Sequence, residues 1–181
     1  NVGFTDGAHD ITLQNCIVSE AIQPQKLGAL IDSSTNISVL RNLWISNNSR
    51  NPKGKANMQF INNVVYNWGG SGFDGGHSGA VWNQDLLNNY FIKGPSSNDS
   101  FLAQFTKNDH GHQSGNMADI NRNGTLDGRE VTTADFKANS RGGETATFMP
   151  SAFNTPATPV TVRSAAEAYE LIAASAGASI K

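Results

Sequence analysis

Three cations fall close together in Ser49-Arg50-Asn51-Pro52-Lys53-Gly54-Lys55. Arg50, Lys53 and Lys55 cannot all be buried unpaired, so the cluster should face solvent or an anionic ligand. The bland alternative is a solvated basic turn. Proline disfavours the helical region in the chain ahead of it, and Arg50 is expected to be extended. The strand-like run Asn57 to Asn67 follows at once and would carry the cluster.

A second group of candidate ligands lies at 119–130, Asp-Ile-Asn-Arg-Asn-Gly-Thr-Leu-Asp-Gly-Arg-Glu. It fits the calcium-loop pattern D-x-[DN]-x-[DN]-G-x5-E at every fixed position. Asp119, Asn121 and Asn123 would offer side-chain oxygens, and Thr125 its carbonyl. Asp127 would bind directly or through water, Glu130 would close the shell, and Gly124 makes the turn. One such loop without obvious flanking helices reads as a structural Ca²⁺ clip.

The elements that hold these groups follow from a repeat. Segments 11–17, 37–43, 58–64 and 84–90 align so that one position holds Cys16, Asn42, Asn63 and Asn89, with Asn116 as a fifth member. The residue three earlier is apolar in the first four (Leu13, Val39, Phe60, Leu86), and the one after is apolar in all five (Ile17, Leu43, Val64, Tyr90, Met117). Short strands and turns at a period of roughly 20–30 residues suit a stacked β-solenoid. An inward asparagine at one corner of each turn can bond its counterpart and the turn backbone, which spares buried polar groups. Cys16 is expected inside as a small filler.

Composition narrows the choices. The chain has 181 residues, 38% of them apolar, with a net charge of −2. That allows a real core and gives no bulk field toward nucleic acid. No apolar run is long enough for a membrane span. The single cysteine excludes an intrachain disulfide. Residues 69–80 read as a turn whose glycines supply positive φ. Residues 94–114 read as a polar loop, and His9, His77, His110 and His112 as solvated. The chain begins at Asn1, in a strand-like pattern, and reads as the C-terminal part of a longer protein. Residues 1–117 would form the solenoid, 118–131 the calcium loop and 132–181 a wrap with a helix. Pro150, Pro156 and Pro159 punctuate that wrap. Ser164-Ala165-Ala166-Glu167 is a capping box, Gly177 is a natural stop, and the helix between them should cover the last coil.

With these residues in view, the sequence resembles the pectate lyases of polysaccharide lyase family 1. Arg50-Asn51-Pro52-Lys53-Gly54-Lys55 and the strand Asn62-Asn63-Val64-Val65-Tyr66-Asn67-Trp68 look like the family's R-x-P-x-x-R segment and the strand after it. Cys16 to Glu20, Asn88-Asn89-Tyr90 and 164–178 also look like family segments. The resemblance implies an all-β, right-handed parallel β-helix. It implies Ca²⁺-assisted β-elimination in polygalacturonate by a secreted, monomeric protein without nucleic-acid or membrane partners. Arg50 falls where the family has its catalytic arginine, Lys55 where a second arginine holds substrate carboxylate, and Lys26 resembles a substrate-binding lysine. Lys53, inside the same segment, would bind substrate with them. Two departures stand out. Lys55 cannot make the bidentate fork of an arginine, and the family's catalytic calcium carboxylates have no clear counterpart, Asp6 and Glu20 being the nearest acids. A guanidinium is also an awkward base. The competing class is a non-catalytic solenoid that binds acidic polysaccharide. A hydrolase would need paired carboxylates, and the repeats hold no Asp-Asp pair.

Overall fold

The computed structural model describes residues 2–153 and 160–177. Pro156, Pro159 and Ala178 lie outside the described residues. The chain winds as a β-solenoid of about five turns. The first coil carries β1 (Val2–Phe4), β2 (His9–Gln14) and β3 (Ile17–Ser19). The second carries β4 (Ala29–Leu40), which bends across two faces, and β5 (Leu43–Ile45). The third repeats it with β6 (Lys53–Ile61) and β7 (Val64–Tyr66). In the fourth the long strand divides into β8 (Phe73–Asp74) and β9 (Trp82–Leu87), ahead of β10 (Tyr90–Ile92). The fifth holds β11 (Leu102–Ala103), β12 (Asp109–Ser114) and β13 (Met117–Asp119). After it come β14 (Arg129–Glu130), β15 (Thr147–Phe148) and helix α1 (Ala165–Ser175). Coils pair in parallel, and β14 alone among the described strands runs antiparallel, against β13.

The repeat is the register. Leu13, Val39, Phe60 and Leu86 pair in one column, and Val39, Phe60 and Leu86 are buried. Ile17, Leu43, Val64, Tyr90 and Met117 form another. Between them runs the asparagine ladder. Asn42 N–H donates to Asn63 Oδ1 (3.0 Å), Asn63 N–H to Asn89 Oδ1 (2.8 Å) and Asn89 N–H to Asn116 Oδ1 (2.9 Å). Each side-chain amide also reaches back to a carbonyl of the coil before: Asn42 to Leu13, Asn63 to Val39, Asn89 to Phe60 and Asn116 to Leu86. The residue ahead of each rung is left-handed: Asn15, Arg41, Asn62, Asn88 and Gly115 have φ between 51° and 64°. This bend turns the chain from the second face to the third within two residues. Cys16 does not lie inside. It is half-buried, and its N–H donates to Asn42 Oδ1 at 2.9 Å.

The apolar column Leu43–Met117 points outward on the third face, and α1 covers it. Ala165, Tyr169 and Ile172 pack there with Val64 and Tyr90. The helix therefore lies along the side of the stack rather than over the last coil. Its capping box forms as expected, with Ser164 N–H donating to Glu167 Oε2 at 3.0 Å. The last coil is closed instead by residues 131–148, where Phe136 packs between Phe105, tilted, and Phe148, edge to face, at ring distances of 4.9 Å each.

Two segments read as loops contain strands. Residues 69–80 include β8, and 94–114 include β11 and β12. Gly72, Gly75 and Gly76 serve close approach rather than positive φ. A Cβ on Gly72 would sit 2.3 Å from the Phe101 carbonyl oxygen, and one on Gly76 2.8 Å from Asp109 Oδ1.

Candidate active site

Alternation along a strand decides which side chains reach the outer first face. Ile31, Gly54 and Phe73 turn into the core, so Leu30, Asp32, Lys53, Lys55 and Asp74 turn out. Register sets them side by side: Leu30 beside Lys53, Lys53 beside Asp74, and Asp32 beside Lys55. Lys55 Nζ meets Asp32 Oδ2 at 2.6 Å. Burial opposes the Asp32 carboxylate, but hydrogen bonds from Lys55 and Ser33 outweigh it and hold its pKa below the usual range.

Arg50 sits in the turn just ahead of β6. It is left-handed, with φ 59°, rather than extended. Proline restricts its immediate predecessor, which is Asn51, and leaves Arg50 free to turn its N–H toward Asp74 Oδ2 at 3.2 Å. The Arg50 carbonyl accepts from Ala29 N–H at 2.8 Å, which locks the turn to the coil below. At the same corner one coil earlier stands Lys26, exposed, whose carbonyl accepts from Asn48 N–H at 2.7 Å. Asn47 braces this corner from inside. Its amide donates to Val18 O and to Asn51 Oδ1, both at 2.9 Å, while its Oδ1 accepts from Ala21 N–H.

Lys26, Arg50, Lys53 and Lys55 thus belong to one corner and face, and two further groups join them. Asp74 is 4% exposed, and its Oδ1 has no hydrogen-bond partner among the described residues. Burial raises its pKa against the pull of Ser71, Lys53 and Arg50. His77, read as solvated, stands over Lys53 with Nδ1 2.6 Å from Nζ. Neither was visible from spacing, because each reaches the face through a glycine-rich segment with no strand periodicity.

The calcium loop stands apart from this face, on the end of the third. Asn121 Oδ1 accepts from Asn123 N–H at 2.9 Å and Asn123 Oδ1 from Thr125 N–H at 2.8 Å. Both amides donate to Asp127 at 2.8 Å, while Glu130 lies exposed in β14, opposite Met117. Among the described residues, no three His, Cys, Asp or Glu side chains gather as a metal site. The oxygen donors fit calcium in kind. Here the two asparagine oxygens are spent on the turn.

A parallel β-solenoid with a cationic strip on one outer face is the class that this fold and site define. No protein-family model matches the chain. It is 38% identical over 173 residues to a protein of Aspergillus fumigatus named "Probable pectate lyase C", a match covering 95% of this chain and 40% of that protein. The protein of that name from Neosartorya fischeri matches to the same extent, and that of Aspergillus terreus is 40% identical over 125 residues, 68% of this chain and 30% of its own. The chain spans about 40% of the length of the first of these relatives. The resemblance to pectate lyases therefore holds along nearly the whole chain.

Proposed function

We propose that this chain supplies the substrate-facing coils of a secreted, monomeric pectate lyase-like protein that cleaves polygalacturonate by β-elimination. The observation that carries the reading is the stacking of Lys26, Arg50 and Lys55 at one corner and face of successive coils. A uronate chain laid across those two coils would meet a cation on each, Lys26 on the second and Arg50 with Lys55 on the third. In β-elimination a base removes the proton at C5, its electron pair forms the C4=C5 double bond, and the C4–O bond breaks. Charge builds on the C6 carboxylate as this happens, and pre-placed cations favour that state over the bound substrate. Arg50 is assigned as the catalytic group, with its guanidinium toward the carboxylate at the reacting centre, and Lys26 and Lys55 as holders of neighbouring carboxylates. Bound Ca²⁺ would add positive charge to the same carboxylate, and the acids that would hold it there are not assigned. At the 119–130 loop, Asp119, Asn121, Asn123, Thr125, Asp127 and Glu130 would hold a separate structural Ca²⁺, the asparagine amides turning over to present their oxygens.

The test is the absorbance of the unsaturated product, near about 235 nm, on polygalacturonate with Ca²⁺. The protein at its natural length should produce it, and Arg50→Ala should lose it. Salt-sensitive retention on polygalacturonate without any product would favour the non-catalytic binder instead.

A further inference from the structure

Of Lys26, Arg50, Lys53 and Lys55, only Lys55 is joined to a carboxylate among the described residues. Its Nζ lies 2.6 Å from Asp32 Oδ2, and each of the two side chains is 26% exposed. Asp32 thus sets a negative charge on a face that would receive a polyanion.

The place of Asp32 is built rather than incidental. β4 pairs with β6 in step from Leu30 to Asp32, and the register slips between Asp32 and Ser34. Ser33 is the extra residue there, left-handed with φ 55°, and a bulge of this kind re-aims the side chains beside it. The Ser33 hydroxyl donates to Asp32 Oδ1 at 3.0 Å, and Ser34 Oγ donates to the Asp32 carbonyl at 3.0 Å. Gly7 N–H donates to the Ser33 carbonyl at 3.1 Å and ties the bulge to the first coil. Both carboxylate oxygens are therefore held, one by Ser33 and one by Lys55. Burial raises the Asp32 pKa, but the hydrogen bonds of Lys55 and Ser33 overcome it and keep the group ionised.

A bare ammonium on a partly buried face selects a carboxylate over an ester, because only the anion makes up for the water that the ammonium gives up. An ammonium already neutralised by a fixed carboxylate has no such demand. Lys55 keeps two further N–H groups, and a carboxylate oxygen or an ester carbonyl can accept from either. Lys26 and Arg50, at the corner, carry no such counter-ion. Lys55 stands about 7 Å farther along β6 than Lys53, whose strand begins after the Arg50 turn, so Lys55 and Arg50 serve different units of a bound chain.

We propose that Asp32 sets how much esterification the substrate can carry. It discharges the Lys55 subsite, which then accepts a methyl-esterified uronate as well as a free one, while the corner of Lys26 and Arg50 requires the free acid. This role rests on the β-elimination reading above and names its substrate class, a polygalacturonate that carries some methyl esters. The reacting unit still needs its carboxylate, because charge builds there.

The test compares polygalacturonate with pectin in which about half of the units are methyl-esterified, by the absorbance of the unsaturated product. Asp32→Asn keeps the shape and removes the charge. It should raise the preference for polygalacturonate, taken as the ratio of kcat/KM on the two substrates, by about tenfold, acting through KM. Asp32→Ser should do the same, and Asp32→Glu should keep the wild-type ratio. Adding Lys55→Met to Asp32→Asn should bring the ratio back toward wild type, since both charges are then gone. A merely structural loss lowers both substrates alike and leaves the ratio where it was. An unchanged ratio in Asp32→Asn and Asp32→Ser overturns the proposal and leaves the elimination reading intact. A wild type that makes no product from either substrate removes the elimination reading, and retention then decides the charge assignment. Asp32→Asn should need more salt than wild type to leave immobilised polygalacturonate, and no more to leave highly esterified pectin. Equal elution of variant and wild type from polygalacturonate overturns the proposal.

Discussion

Replacing Asn63 by alanine should cost more than its size suggests. Asn63 is fully buried. Its Oδ1 accepts from the backbone N–H of Asn42 at 3.0 Å and from its amide at 3.1 Å. Its amide donates to Val39 O at 2.9 Å, Ile61 O at 3.1 Å and Asn89 Oδ1 at 3.2 Å. Several of these partners keep other bonds: the Asn42 amide still reaches Leu13, and Asn89 Oδ1 still receives the residue-63 N–H. The Asn42 N–H and the Val39 carbonyl lose the bonds that this side chain makes, at positions that water does not reach. Each buried group left without a partner costs about 1–3 kcal/mol, so the variant should lose about 3–5 kcal/mol in all. For a chain of this size that corresponds to a fall in Tm of roughly 10 °C or more. Urea unfolding followed by circular dichroism measures it. Cys16→Ala is the control, at a half-buried rung whose bond to Asn42 Oδ1 comes from the backbone N–H and survives the change, and should cost less than about 1 kcal/mol. A loss under about 1 kcal/mol for Asn63→Ala would show that water or a shifted turn replaces those bonds, and the ladder would not be what holds the coils in step.

Other outcomes follow from single contacts. Because Lys53 binds its proton less tightly when folded, the unfolded chain holds more protons between about pH 8 and the ordinary lysine value, and stability should rise across that window. Allowing for solvent screening, the gain should be about 2 kcal/mol, absent in Lys53→Met, and melting curves from pH 7 to 10.5 would reveal it. Gly72→Ala forces a Cβ to within 2.3 Å of a backbone oxygen of the next coil, so its Tm should fall by several degrees, for a loss above about 2 kcal/mol. Ile172→Ala removes a buried side chain from the α1 seam and should cost about 2–4 kcal/mol by denaturant melting. Ca²⁺ should raise the Tm of the wild type, and Asp119→Ala should lose that shift.

The period-like spacing of Cys16, Asn42, Asn63, Asn89 and Asn116 determined the solenoid. A side chain that must satisfy the turn above and below can occur only once per coil, so the demand is written locally in each repeat. Arg50, Lys53 and Lys55 were legible for the same reason, since strand alternation sends Lys53 and Lys55 to one side and ties both to the turn at Arg50. The tertiary structure alone decided which groups arrive from elsewhere. Asp74 comes beside Lys53 through register between coils, and His77 comes over it because Asp109, 32 residues later, holds the loop. Sequence spacing carries no record of such a contact. Nor could it place α1: the amphipathic pattern showed that a helix would be buried, and the outward column from Leu43 to Met117 decided against what.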